Sequence, residues 1–198
     1  MEKERKEDAR VVRTRRDLRA AMTALMERRG FDKITVSDVC AAAMVNRMTF
    51  YKHYRDKYDL LNDVILDVKN SIVRRMEEAG PVPGIADDPV GFSERLIDAV
   101  LDECLARRAV LTALDNDQLV VTMVSSSLEK FVAGLLSDLD RKHPLRYKAE
   151  VLAVAMTGAA SFLVRYWLGH RPEQTKEQLL GRSKEFLRDL FAARILFK

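Results

Sequence analysis

From Asn46 to Tyr54 the chain reads Asn-Arg-Met-Thr-Phe-Tyr-Lys-His-Tyr, so that Arg47, Met48, Thr49, Tyr51, Lys52 and His53 gather two cations, an imidazole, two hydroxyls and a thioether in one short stretch. Such a set donates hydrogen bonds to anionic oxygens and to the edges of bases, and contains no nucleophile beside a general base. The rest of the chain offers little other chemistry. His53, His143 and His170 lie in separate segments without the i, i+4 spacing of a helical metal pair. Cys40 and Cys104 are too far apart for a metal knuckle or a redox pair and read as free thiols. There is no phosphate loop and no Gly-x-Ser-x-Gly elbow. No metal and no cofactor are expected, and an enzyme is not the expected class.

The elements that carry this stretch are short. Residues 36–43 and 47–54 have the length and spacing of two helices joined by a tight corner, the pattern of a helix-turn-helix. Thr35 with Asp38 three residues on is a capping arrangement for the first helix, and Asn46 is an N-cap for the second. Val39, Ala42, Val45, Phe50 and Tyr54 are expected to pack inward, which leaves the polar set outward on a face able to enter a major groove. Charge agrees with a polyanion partner: residues 1–58 hold 15 Lys/Arg against 9 Asp/Glu, and residues 59–198 hold 19 against 21.

Apolar residues recur at helical spacing along the whole chain, and no stretch alternates as a strand would. The expectation is an all-α fold of about nine helices, with a DNA-binding domain over residues 1–56 and a helical regulatory and dimerisation domain over 57–198. The first helix carries Leu18, Met22, Leu25 and Met26 on one face, with Gly30 placed as its left-handed terminator. A long helix begins near Asp56 and presents Leu61, Val64, Ile65, Val68, Ile72 and Met76. After the Gly80–Gly84 loop come a helix through Phe92, Leu96, Val100 and Cys104, a shorter one with Val110, Leu111 and Leu114, and a long one with Met123, Val124, Leu128, Phe131, Leu135 and Leu136 as core. The helix from Arg146 to Leu168 is apolar nearly all round, as for burial against two layers. Its uncharged run, Val151 to Val164, is too short to cross a bilayer. Thr175 and Gln178 form a capping box for the last helix. The start of the chain has no apolar h-region, and with free thiols this predicts a cytoplasmic protein without a membrane partner.

Taken whole, residues 30–61, GFDKITVSDVCAAAMVNRMTFYKHYRDKYDLL, closely resemble the N-terminal signature of the TetR (tetracycline repressor) family. The resemblance is strong over residues 10–65 and rests further on only on helix order and the Tyr166-Trp167-Leu168-Gly169 stop. It implies a regulator that binds a double-stranded, palindromic DNA operator as a homodimer, a repressor modulated by a small apolar effector. An activator that works through a protein partner without an effector is the alternative. Carried over, it implies phosphate contacts from Thr35, Tyr51, His53 and Lys57, with Arg47, Met48 and Lys52 at base edges. The chain departs from the family at Met44, where glycine is common in the turn. A non-glycine residue in the left-handed region costs about 1–2 kcal/mol, so either the turn differs or the packing of Met44 offsets the strain.

The resemblance also implies that Phe92, Leu96, Val100, Met123, Phe131, Phe162, Tyr166 and Trp167 line an effector cavity, although such a stripe equally reads as core. Val151, Ala155, Phe162, Leu179, Phe186, Leu187 and Leu190 are expected at the dimer interface, because the apolar area of the last two helices exceeds what one small bundle covers.

Overall fold

A computed structural model describes residues 2–80, 83–108, 110–111, 118–170, 175–192 and 197, and the side chains of all of these except 2–8, 168–170, 187 and 190–192. Among the described residues the chain is helical, with α1 (Glu2–Met26), α2 (Val36–Ala42), α3 (Arg47–His53), α4 (Lys57–Glu78), α5 (Pro89–Ala106), α6 (Gln118–Lys142), α7 (Ala149–His170) and α8 (Lys176–Ala192). A 3-10 turn, Phe31–Lys33, links α1 to α2. The short helix expected around Val110–Leu114 lies largely outside the described residues. The all-α expectation holds.

Most of the helix starts follow from local hydrogen bonds. Thr35 Oγ1 accepts from the Asp38 amide at 3.1 Å while Asp38 Oδ2 accepts from the Thr35 amide at 2.9 Å, a reciprocal capping box at α2. Asn46 Oδ1 accepts from the Thr49 amide at 2.7 Å at the start of α3. Asp56 Oδ1 accepts from the amides of Tyr58 and Asp59 ahead of α4. Asp88 caps α5, with Pro89 at its first position, where a missing N–H leaves no bond unmade. Thr175 and Gln178 cap α8 through reciprocal bonds of 3.2 and 3.3 Å. Gly30 departs from expectation: its φ of −57° is not left-handed, and it precedes the 3-10 turn in an ordinary extended conformation.

The chain forms two compact units, Met1–Asp67 with Ala113–Val121, and Val68–Thr112 with Thr122–Lys198. The first has a core of Leu18, Met22, Met26, Phe31, Ile34, Val39, Phe50, Leu60 and Leu61, all essentially inaccessible. Ala42, expected inward, is exposed, and Cys40 is buried in the same helix instead. In the second unit Ile72, Met76 and Ala99 pack with Val68, Phe92, Leu96 and Val100. Ile85, Leu136, Leu139, Leu145, Ala149 and Ala153 form another cluster, and Leu101 and Trp167 a third.

Ion pairs set the direction of α8 along α5. Lys176 meets Asp98 and Asp102 at 2.7 and 2.6 Å, and Arg188 meets Glu94 at 2.7 Å, so rising numbers on one helix pair with falling numbers on the other and the two run antiparallel. Glu103, 4% exposed, receives Ser71 Oγ at 3.1 Å, Arg75 Nε at 3.2 Å and Arg107 Nε at 2.5 Å. Burial alone would raise the pKa of this carboxyl; the bonds from Arg107, Ser71 and Arg75 outweigh it and hold the group below its ordinary range.

The expectations for α6 and α7 change in part. Only Leu136 of the six named core residues of α6 is fully buried; Met123, Val124, Leu128, Phe131 and Leu135 are half-buried. In α7 the inner side is Ala149, Ala153, Thr157 and Trp167, while Val151, Val154, Phe162, Leu163 and Tyr166 are exposed, so burial against two layers is not met within one chain. Both helices are long and apolar enough, by length and composition alone, to cross a membrane, α7 over a longer window than its uncharged run suggests. The same composition suits a helix packed on two sides in a helical protein.

Candidate nucleic-acid interface

The seven residues of α3 divide cleanly by face. Phe50 has no exposed surface and meets Tyr51 and Tyr54 ring to ring at 5.4 and 5.8 Å. Arg47, Met48, Tyr51 and Lys52 are exposed, and Thr49 and His53 are half-buried. Arg47 and Tyr51, one turn apart, share a face: the guanidinium donates to the Tyr51 hydroxyl at 3.4 Å and lies 5.9 Å from the ring centre. The structure thus brings the outward set of α3 together on one short capped helix.

The corner before α3 is left-handed. Met44 has φ 55° and is 92% exposed, so the turn keeps the geometry that a glycine would adopt and no packing of the Met44 side chain offsets its strain. The first of the two alternatives for this residue, an altered turn, is therefore not needed to place α3.

The far end of α3 is held by a polar network that the sequence reading did not single out. The Tyr54 hydroxyl donates to Asp63 Oδ2 at 2.5 Å, Arg15 Nη2 reaches Asp63 Oδ1 at 3.1 Å, and Arg19 Nη1 reaches Oδ2 at 3.0 Å. Arg15 Nε also donates to the Tyr54 oxygen at 3.3 Å. Burial opposes ionisation of Asp63, but the bonds from Tyr54 and Arg19 and the charges of both arginines prevail and lower its pKa. Burial and the Asp63 carboxylate push the Tyr54 phenol up to about 12. In the sequence this network is signalled by Tyr54 alone, an inward-facing tyrosine whose hydroxyl needs a partner once buried.

Two positions given phosphate roles by resemblance have other partners here. The Thr35 hydroxyl donates to Asp38 Oδ2 at 2.7 Å while accepting from the Asp38 amide. That bond, with those from the Thr35 amide and Arg29, lowers the pKa of Asp38 to about 2. Lys57 points its ammonium at the carbonyl oxygens of Phe31, Asp32 and Ile34.

Residues 18–64 match the model for bacterial regulatory proteins of the tetR family. That match spans 47 of the 198 residues, so the similarity to this family is that of the N-terminal segment carrying α2 and α3. Among curated proteins it is 27% identical over 186 residues to a protein of Bacillus subtilis (strain 168) described as an uncharacterized HTH-type transcriptional regulator, YxbF. That alignment covers 90% of this chain and 47% of the relative, so the chain spans about half the length of the curated relative it matches. Solved structures share the fold over nearly the whole chain. A TetR-family regulator from Syntrophomonas wolfei str. Goettingen aligns with TM-score 0.68 at 15% identity, over 89% of this chain and 94% of that one. A TetR regulator from Streptococcus agalactiae 2603V aligns with TM-score 0.61 at 22% identity, over 91% and 96%.

The residues named for an effector cavity do not form one set. Phe92, Leu96 and Val100 pack on Ile72, Met76 and Ala99, and Trp167 packs on Leu101. Phe131 lies under the Lys69 ammonium at 5.5 Å from its ring centre, and Met123 is half-buried. Phe162, 70% exposed, and Tyr166 face outward on α7. Of the interface candidates, Val151, Ala155 and Phe162 share that outward side of α7, and Phe186 is exposed on α8. Leu179 instead packs toward Leu101 and Trp167. The side chains of Leu187 and Leu190 lie outside the described residues. Cys104 is half-buried, and burial together with the Glu103 charge pushes its thiol up to about 11, which disfavours the reactive thiolate. Among the described residues no cluster of His, Cys, Asp and Glu could hold a metal.

Proposed function

We propose that this protein is a sequence-specific, DNA-binding transcriptional regulator, a repressor that works in the cytoplasm as a homodimer on a palindromic operator. The observation that carries the reading is α3 itself: a helix of seven residues capped by Asn46 and anchored by Phe50 and Tyr54, with Arg47, Met48, Tyr51 and Lys52 outward. Position assigns Arg47 and Met48, in the first turn of the recognition helix, to base edges, with Lys52 beside them, and Thr49, Tyr51 and His53 to the backbone. The outward side of α7 is the proposed face for a second copy, since Val151, Ala155 and Phe162 repeat along it at helical spacing.

An effector of small apolar character belongs, on this reading, with the second unit, where Phe92, Leu96 and Val100 keep part of their surface open. It would act by favouring dimers whose two α3 helices do not match the operator spacing. Selection of duplexes from a random library by the purified protein tests the central claim. Enrichment of a palindrome, with half-site centres about one helical turn (~34–36 Å) or a multiple of it apart, is expected; no enrichment at low salt overturns it.

A further inference from the structure

Lys57 is the first residue of α4, a place where its charge is poorly matched to its own helix, since a cation at a helix N-terminus lies against the macrodipole. Its surroundings explain it. The Nζ atom lies 2.9 Å from the Phe31 oxygen, 3.1 Å from that of Asp32 and 3.0 Å from that of Ile34. An ammonium has three N–H groups, and three carbonyls use them all. The charge also lies 4.5 Å from the centre of the Phe31 ring and 5.5 Å from that of Tyr58, rings that meet edge to face at 5.3 Å. The three carbonyls belong to the 3-10 turn and the residue after it; that of Phe31 also accepts from the Ile34 amide at 3.1 Å, which leaves a second lone pair for the ammonium. Ile34 immediately precedes the Thr35 cap of α2.

We propose that Lys57 is a positioning residue rather than a phosphate contact: an internal clamp that fixes the start of α2 against the start of α4, and through them the angle at which α3 is presented. To reach a phosphate the ammonium would have to give up three charge-assisted hydrogen bonds and two ring faces at once. The consequence for DNA rests on the function proposed above; the clamp does not, and the two are separable by experiment.

Nitrogen-proton spectra of the lysine ammonium groups in the free, full-length protein test the clamp directly. Lys57, assigned by through-bond correlation, should give a slowly exchanging signal that added DNA leaves unchanged; fast exchange like that of surface lysines overturns the proposal. Titrations of selected operator and random duplex over a salt series then test its consequence. Lys57→Met, checked for folding by circular dichroism, should lower the operator-to-random preference by about tenfold or more, the effect of roughly one mismatched base pair, with the wild-type salt slope retained. Lys57→Arg should not rescue, because a planar fork cannot point three N–H groups at three converging carbonyls. A slope reduced by about one with the preference intact, restored by arginine, would mark a phosphate contact and sink the proposal. If the wild-type protein binds no DNA, the functional reading fails while the spectra still decide the clamp.

Discussion

The Tyr54 hydroxyl donates to Asp63 Oδ2 at 2.5 Å, tying the residue that ends α3 to α4. Because the folded state holds the phenol in its protonated form and raises its pKa to about 12, the bond contributes stability that is complete below the unfolded tyrosine pKa of about 10 and is lost as pH rises toward 12. Thermal melts from pH 8 to 12 should therefore fall more steeply for wild type than for Tyr54→Phe above about pH 10. Parallel curves would refute the assignment. At the other end, the lowered pKa of Asp63 gives stability present above about pH 4 and lost as pH falls below it. Asp63→Asn should be less stable at neutral pH by about 1–3 kcal/mol and flatter in acid.

Met44 carries left-handed strain with nothing packed on it. Met44→Gly removes a cost of about 1–2 kcal/mol and adds about 0.4–1 kcal/mol of unfolded-state entropy, so a small net gain in stability is expected. Met44→Ala keeps the strain and should be near neutral. Urea denaturation of the three proteins decides it, and an alanine variant as stable as the glycine variant would contradict the strain.

Arg47 is exposed and stands one residue after the Asn46 cap. Arg47→Ala should weaken operator binding by about 1–3 kcal/mol and relax preference at one base pair per half-site. Binding measured on operators substituted at each position provides the check. A uniform loss across all of them would mean a phosphate contact instead.

The outward face of α7 should be the seam between two copies. Replacing Val151 and Phe162 together by Glu puts two charges on that face and should give a monomer at micromolar concentration while the helical signal is kept. Sedimentation velocity is the measurement, and an unchanged dimer would place the interface elsewhere.

Much of the first unit is legible in the sequence because its signals are local. The caps Thr35 with Asp38 and Asn46 with Thr49 each close over three residues, as does Thr175 with Gln178 in the second unit, so residue type and spacing suffice to read them. The sequence marks Met44 as a departure at the turn but leaves open an altered corner or compensating packing; the structure decides for a left-handed residue with an exposed side chain. What the tertiary structure decides is where long side chains find partners far along the chain. Lys57 reaches carbonyls 23 to 26 residues away, and Asp63 collects Arg15 and Arg19 from more than forty residues back. Leu179 and Phe162 are equally apolar in sequence, yet one packs against Trp167 and the other faces outward, because helical spacing defines an apolar stripe and only the placement of neighbouring helices decides what covers it.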